Sequence, residues 1–94
     1  MDANLLNAWV METVIPMSYW AVSSRNEVIA FVQVNGYKSN RGKGEPYSIT
    51  VRNIYVPSDE RMPQSLKAWQ DPQGIAAEEF KRWVDDGRIS RVRR

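Results

Sequence analysis

The longest β-branched and aromatic run in the chain is Val28-Ile29-Ala30-Phe31-Val32-Gln33-Val34, with polar residues before it and Asn35-Gly36 after it. A short run of this composition predicts a well-buried strand rather than a helix. Alternate positions define its two faces: Val28, Ala30, Val32 and Val34 are wholly apolar, and Ile29, Phe31 and Gln33 are mostly so. Such a strand belongs at the centre of a sheet, with a helix layer over the first face and partial cover over the second.

The other elements follow from spacing. Leu5, Leu6, Trp9, Val10, Thr13 and Val14 recur at helical intervals and form one stripe, with Asp2 as cap and Pro16 as stop. The preferred reading packs this stripe on the sheet; the alternatives lay Trp9 in a partner groove or make Trp9 to Ile15 a strand. Met17 to Ser23 alternates as a strand, with Met17, Tyr19 and Ala21 on one face and Ser18, Trp20 and Val22 on the other. Ser24-Arg25-Asn26-Glu27 then supplies the turn of an antiparallel hairpin into the central run.

From Asn35 to Pro46, glycines, a proline and the bases Lys38, Arg41 and Lys43 replace the apolar pattern. This predicts a long hairpin loop, or two strand extensions with a tip near Asn40 to Gly44, and loops of such length often carry function. In Tyr47 to Val56, Tyr47, Ile49 and Val51 alternate, but Ile54 and Val56 fall one step out of register. A β-bulge near Arg52-Asn53 accounts for the slip and would re-aim Arg52 or Tyr55.

Pro57 to Gln70 reads as a connector with one helical turn around Ser65 to Trp69, Trp69 plugging the core edge. Asp71-Pro72 is read as the start of a helix with apolar residues Ile75, Ala76, Phe80, Trp83 and Val84 and Gly87 as its stop. Asp85 and Asp86 stand in its last turn, where the helix dipole disfavours anions. Neutralisation by Arg88 and Arg91 is the preferred explanation, a partner-facing acidic patch the other.

Composition narrows the chemistry. A chain of 94 residues makes a single domain, 1-94, with one modest core and little room for a deep pocket. There is no histidine and no cysteine, which removes the commonest general base and the usual zinc, copper and haem ligands. No apolar run reaches the length of about 20 residues that spans a bilayer, and Met1-Asp2-Ala3-Asn4 lacks the basic start of a secretory signal. A cytoplasmic location is expected, host cytoplasm for a phage-encoded protein. The net charge of +2 conceals a division: the basic C-terminal tail, 88-94, holds Arg88, Arg91, Arg93 and Arg94, and the rest is slightly acidic.

Three motif-like stretches fail on physical grounds. Gly36 to Lys43 has the wrong glycine spacing for a phosphate-binding loop, ends in Gly44 where Ser or Thr binds metal, and joins two strands. Glu79-Phe80-Lys81 has the residues of a nuclease triplet, but on a helix positions two apart diverge by about 200°. Ala30-Phe31-Val32-Gln33-Val34 resembles the second half of the RNP1 strand of RNA-recognition motifs, yet Glu27 and Val28 replace the leading base and glycine, Val34 replaces a stacking aromatic, and the βαββαβ order is missing. The chain is not assigned to that family.

The expected fold is α+β: a three-stranded antiparallel sheet, with the tail as a candidate fourth edge strand, packed by amino- and carboxy-terminal helices on one face. The expected function is non-catalytic binding without cofactor or metal, exerted on a protein or nucleoprotein complex. Aromatic and basic enrichment nominates Tyr37, Lys38, Arg41, Lys43, Tyr47 and Arg52, with Arg88, Arg91, Arg93 and Arg94 of the tail, as partner-binding residues. In profile the chain resembles small phage-encoded inhibitors such as anti-CRISPR proteins, which block or mimic nucleic-acid sites; the likeness is of type, with no motif behind it. The alternative is a DNA- or RNA-binding module using the basic hairpin and tail. No membrane partner is expected, and an exposed edge strand would permit homo-oligomers.

Overall fold

The computed structural model describes residues 3–37, 47–56, 64–70 and 74–92. In chain order these form α1 (Ala3–Thr13), β1 (Ser18–Ser24), β2 (Glu27–Tyr37), β3 (Ser48–Tyr55), α2 (Gln64–Ala68), β4 (Ile75–Ala76), α3 (Ala77–Asp85) and β5 (Ile89–Arg91). The class is α+β as expected, but the sheet is five-stranded and antiparallel, in the order β4-β3-β2-β1-β5. The central strand is indeed central. The tail supplies β5, which pairs with β1 through Trp20 to Arg91 and Val22 to Ile89.

One face of the sheet makes the core. Trp20, Val22, Ala30, Val32, Val34, Ile49, Val51 and Ile89 are buried together with Leu6, Val10 and Val14, Leu66 and Trp69, and Ala77, Phe80 and Trp83. Of the expected stripe, Leu6, Val10 and Val14, spaced by four, are buried, Trp9 packs partly buried against the core, and Leu5 points to solvent. Helix extends through Trp9 to Thr13, so the strand alternative for that stretch is excluded. Phe80 sits at the hub of an aromatic cluster, 5.0 Å from Trp20, 6.0 Å from Trp9 and 6.1 Å from Trp69, with Trp83 4.4 Å from Trp69. All four tryptophans thus serve packing, where edge-on aromatic pairs add about 0.5 to 1.5 kcal/mol beyond area burial.

Ser18 solves a local problem in that core. Trp20 Nε1 donates to its hydroxyl at 2.7 Å, and the hydroxyl donates to the Val14 carbonyl at 3.0 Å, so a buried indole N–H and a helix-end carbonyl are both satisfied.

Several expectations need correction. The last helix begins at Ala77, not at Asp71-Pro72; Ile75 and Ala76 instead pair with Ile49 and Ser48 as an edge strand. The cause is Gly74, held at φ +66° with its Cα so close to β3 that a Cβ would lie 2.7 Å from the Ile49 carbonyl oxygen. Asp71 to Gln73 lies outside the described residues. Of the two alternatives after the central run, β2 follows the strand extension and continues through Asn35-Gly36 to Tyr37, because Gly36 lies in the sheet under α1, where a Cβ would meet Val10 at 3.1 Å. Val28 is not on the core face: β2 carries an extra residue at Ile29 between the Val22 to Ala30 and Ser23 to Val28 pairs, which turns Ile29 inward and Val28 outward.

Asp85 is neutralised by Lys81, 2.9 Å away, and not by Arg88 or Arg91. Gly87 does stop α3, and the Gly87 to Val84 and Arg88 to Trp83 backbone bonds form a Schellman turn that folds Arg88 back over the Trp83 ring. Glu79-Phe80-Lys81 lies on α3 with Phe80 in the core and Glu79 exposed, so it forms no metal cage.

Candidate binding face

The second face of the sheet is where the exposed aromatic residues collect. Directly paired residues on neighbouring strands share a face, with Cβ atoms about 4.5 to 5.5 Å apart. One rung across this face runs Tyr19, Gln33, Arg52, with Val92 bonded through its N–H to the Tyr19 carbonyl. The next runs Ser90, Ala21, Phe31, Tyr55, and Val28 opposite Ser23 extends it. Tyr19, Phe31 and Tyr55 remain 43%, 39% and 62% exposed, so helices cover one face only and the second is open among the described residues.

The bulge expected at Arg52-Asn53 builds half of this surface. Between the Gln33 to Arg52 and Phe31 to Tyr55 pairs, β2 has one residue and β3 has two, and Asn53 absorbs the extra step in a left-handed conformation, φ +47°. Without it Tyr55 would point into the core. With it, Ile54 packs inward and both Arg52 and Tyr55 face out.

A polar line crosses the rung. Gln33 donates from Nε2 to the Tyr19 hydroxyl at 3.3 Å and accepts at Oε1 from Asn53 Nδ2, so one amide positions a tyrosine and the bulge residue. Arg52 is the only formal charge among the residues of the two rungs. The arrangement offers aromatic contact area, hydrogen-bonding groups and one cation, which is the composition of interface hot spots and of base-stacking surfaces. Among the described residues no group of three or more acidic, histidine or cysteine side chains could hold a metal ion, and no helix is long and apolar enough to cross a membrane.

The nominated residues do not form one patch. Tyr37 ends β2 opposite Ser48 and is exposed. Tyr47 is half-buried against the core, its N–H donating to Asn7 Oδ1 at 3.0 Å and its carbonyl accepting from Ala77, so it is a junction between α1, β3 and α3. Arg52 is on the open face. Arg88 stacks over Trp83 at 3.7 Å, and Arg91 lies exposed on β5. β5 is three strand spacings from β3, about 14 Å away. Lys38, Arg41, Lys43, Arg93 and Arg94 lie outside the described residues.

Tyr19 and Phe31 were missed as surface candidates because the signal is cross-strand. Each lies on the side of its strand away from the core, and only the register brings them beside Tyr55. Asn7 was missed because a polar residue beside an apolar stripe reads as solvent-facing, whereas it is buried and bonds to Tyr47. No family model matches the chain, and no characterised protein or solved structure is significantly similar to it.

Proposed function

We propose that the chain is a small non-catalytic binding protein that docks on a larger protein or nucleoprotein complex and blocks it, in the manner of a phage-encoded inhibitor such as an anti-CRISPR protein. The observation that supports this is the open sheet face, where Tyr19, Phe31 and Tyr55 stand in adjacent positions beside Arg52. Aromatic and arginine side chains on a rigid sheet lose little entropy on contact and dominate interface energies. In this reading Tyr37, exposed at the end of β2, extends the contact; Arg91 pairs with Trp20 and so lies on the opposite side of the sheet, and Lys38, Arg41, Lys43, Arg93 and Arg94 are candidates by sequence alone.

A photo-crosslinking residue at Tyr55 tests the reading in extract of the native host. It should form a protein adduct that Phe31→Ala abolishes, and the same residue at Leu5, on the helix side, should form none. Equal adducts from both positions contradict it.

Direct nucleic-acid binding is the second reading, favoured by the same aromatic rungs and Arg52. Three to five phosphate contacts would give a log K against log salt slope of about -3 to -5 with single-stranded oligonucleotides. The docking reading expects no measurable affinity for free oligonucleotides at physiological salt.

A further inference from the structure

A cleft of about 340 Å³ lies where the β1–β2 turn meets the α3–β5 turn, and its lining shares only Ser23 with the residues of the two aromatic rungs. Its apolar wall is Val22, Ile29 and Trp83, and its rim carries Arg25, Asp86 and Arg88. Two of these three charged residues, Arg25 and Asp86, depart from what folding alone favours.

Arg25 and Asn26 are the two central residues of a two-residue hairpin turn, at φ 51° and 64°. That geometry favours Asn or Gly at both positions, and a long side chain there is strained. Asp86 caps the carboxyl end of α3, where a negative charge opposes the helix dipole, and it has no ion-pair partner among the described residues. The Arg88 guanidinium carbon lies 3.7 Å from the centre of the Trp83 ring, and the group has no carboxylate partner among the described residues. Three charges without ion-pair partners among the described residues thus rim one apolar wall, two of one sign and one of the other. Breaches of local rules that gather in one place mark sites of use.

We propose that this cleft binds a small amphoteric carboxylate of the apolar α-amino acid class. Arg25 and Arg88 receive the carboxylate, Asp86 and the negative end of the α3 dipole receive the ammonium, and Val22 and Ile29 receive the apolar side chain. The volume is at the lower end of small-ligand sites, which run from about 300 to 1,000 Å³.

Amide NMR titration of the whole chain with L-phenylalanine tests this, with phenylacetate and phenethylamine as probes that each lack one charge. Saturable shifts are expected at Ser23 to Asn26 and Asp86 to Ile89, with each single-charge probe weaker by about tenfold. Asp86→Asn should weaken phenylalanine but not phenylacetate, and Arg88→Ala should weaken both carboxylates. Arg25→Asn should also weaken both while making the fold more stable, the signature of strain kept for binding. Absence of saturable shifts with phenylalanine, equal affinity for phenylacetate, or indifference to Arg25→Asn and Arg88→Ala would each overturn the proposal.

Discussion

At the scale of single residues, the polar groups inside the molecule are the most exacting part of its chemistry. Ser18 joins Trp20 to the end of α1, so Ser18→Ala leaves an indole N–H and a carbonyl buried without partners. A loss of about 2 kcal/mol is expected, read as a drop in melting temperature of about 8 to 16 °C for a domain of this size. Gly74→Ala should cost about 2 kcal/mol or more, since the residue sits at positive φ and the new methyl meets the β3 backbone. Urea unfolding measures both. Neither role was legible from composition, because a serine in a strand and a glycine in a helix-like stretch carry no sign of what lies across from them. By contrast the Asn53 bulge was legible, since a phase slip between Val51 and Ile54 has few other remedies.

Elements show the same division between what local pattern carries and what only assembly reveals. The alternation in β1 and the apolar core of β2 specify their faces, and Gly87 marks the end of α3, because each is decided within a few residues. The start of α3 is not decided that way. Ile75 and Ala76 fit a helical stripe, but the exposed edge of β3 offers hydrogen bonds that the stripe cannot, and they become β4 instead. The tail, by contrast, was legible as a candidate edge strand despite its four arginines: β5 pairs with β1, and Ile89 is buried. A chain ending at Arg88 should therefore lose about 3 kcal/mol or more, from the Ile89 side chain and the β1 hydrogen bonds together. Retention of full stability on that truncation would show the tail to be an appendage after all.

For the whole molecule, the division of labour between the two sheet faces is the central point. Among the described residues, one face takes every tryptophan into or against the core with the three helices, and the other leaves Tyr19, Phe31, Tyr55 and Val28 exposed, with Arg52 beside them. The sequence shows the aromatic enrichment but not this sorting, which depends on two bulges and on the pairing register. Of the nominated residues, Arg52 lies on the open face and Tyr47 is half-buried against the core. Removing exposed side chains should leave the fold within about 0.5 kcal/mol of the wild type, so binding and stability can be separated. The most direct measurement is capture from native host extract with quantitative mass spectrometry, comparing wild type with the Tyr19→Ala, Phe31→Ala, Tyr55→Ala triple variant, both shown by urea unfolding to be folded. The triple variant should lose the partner that wild type enriches; undiminished enrichment of that partner by the triple variant would contradict the account.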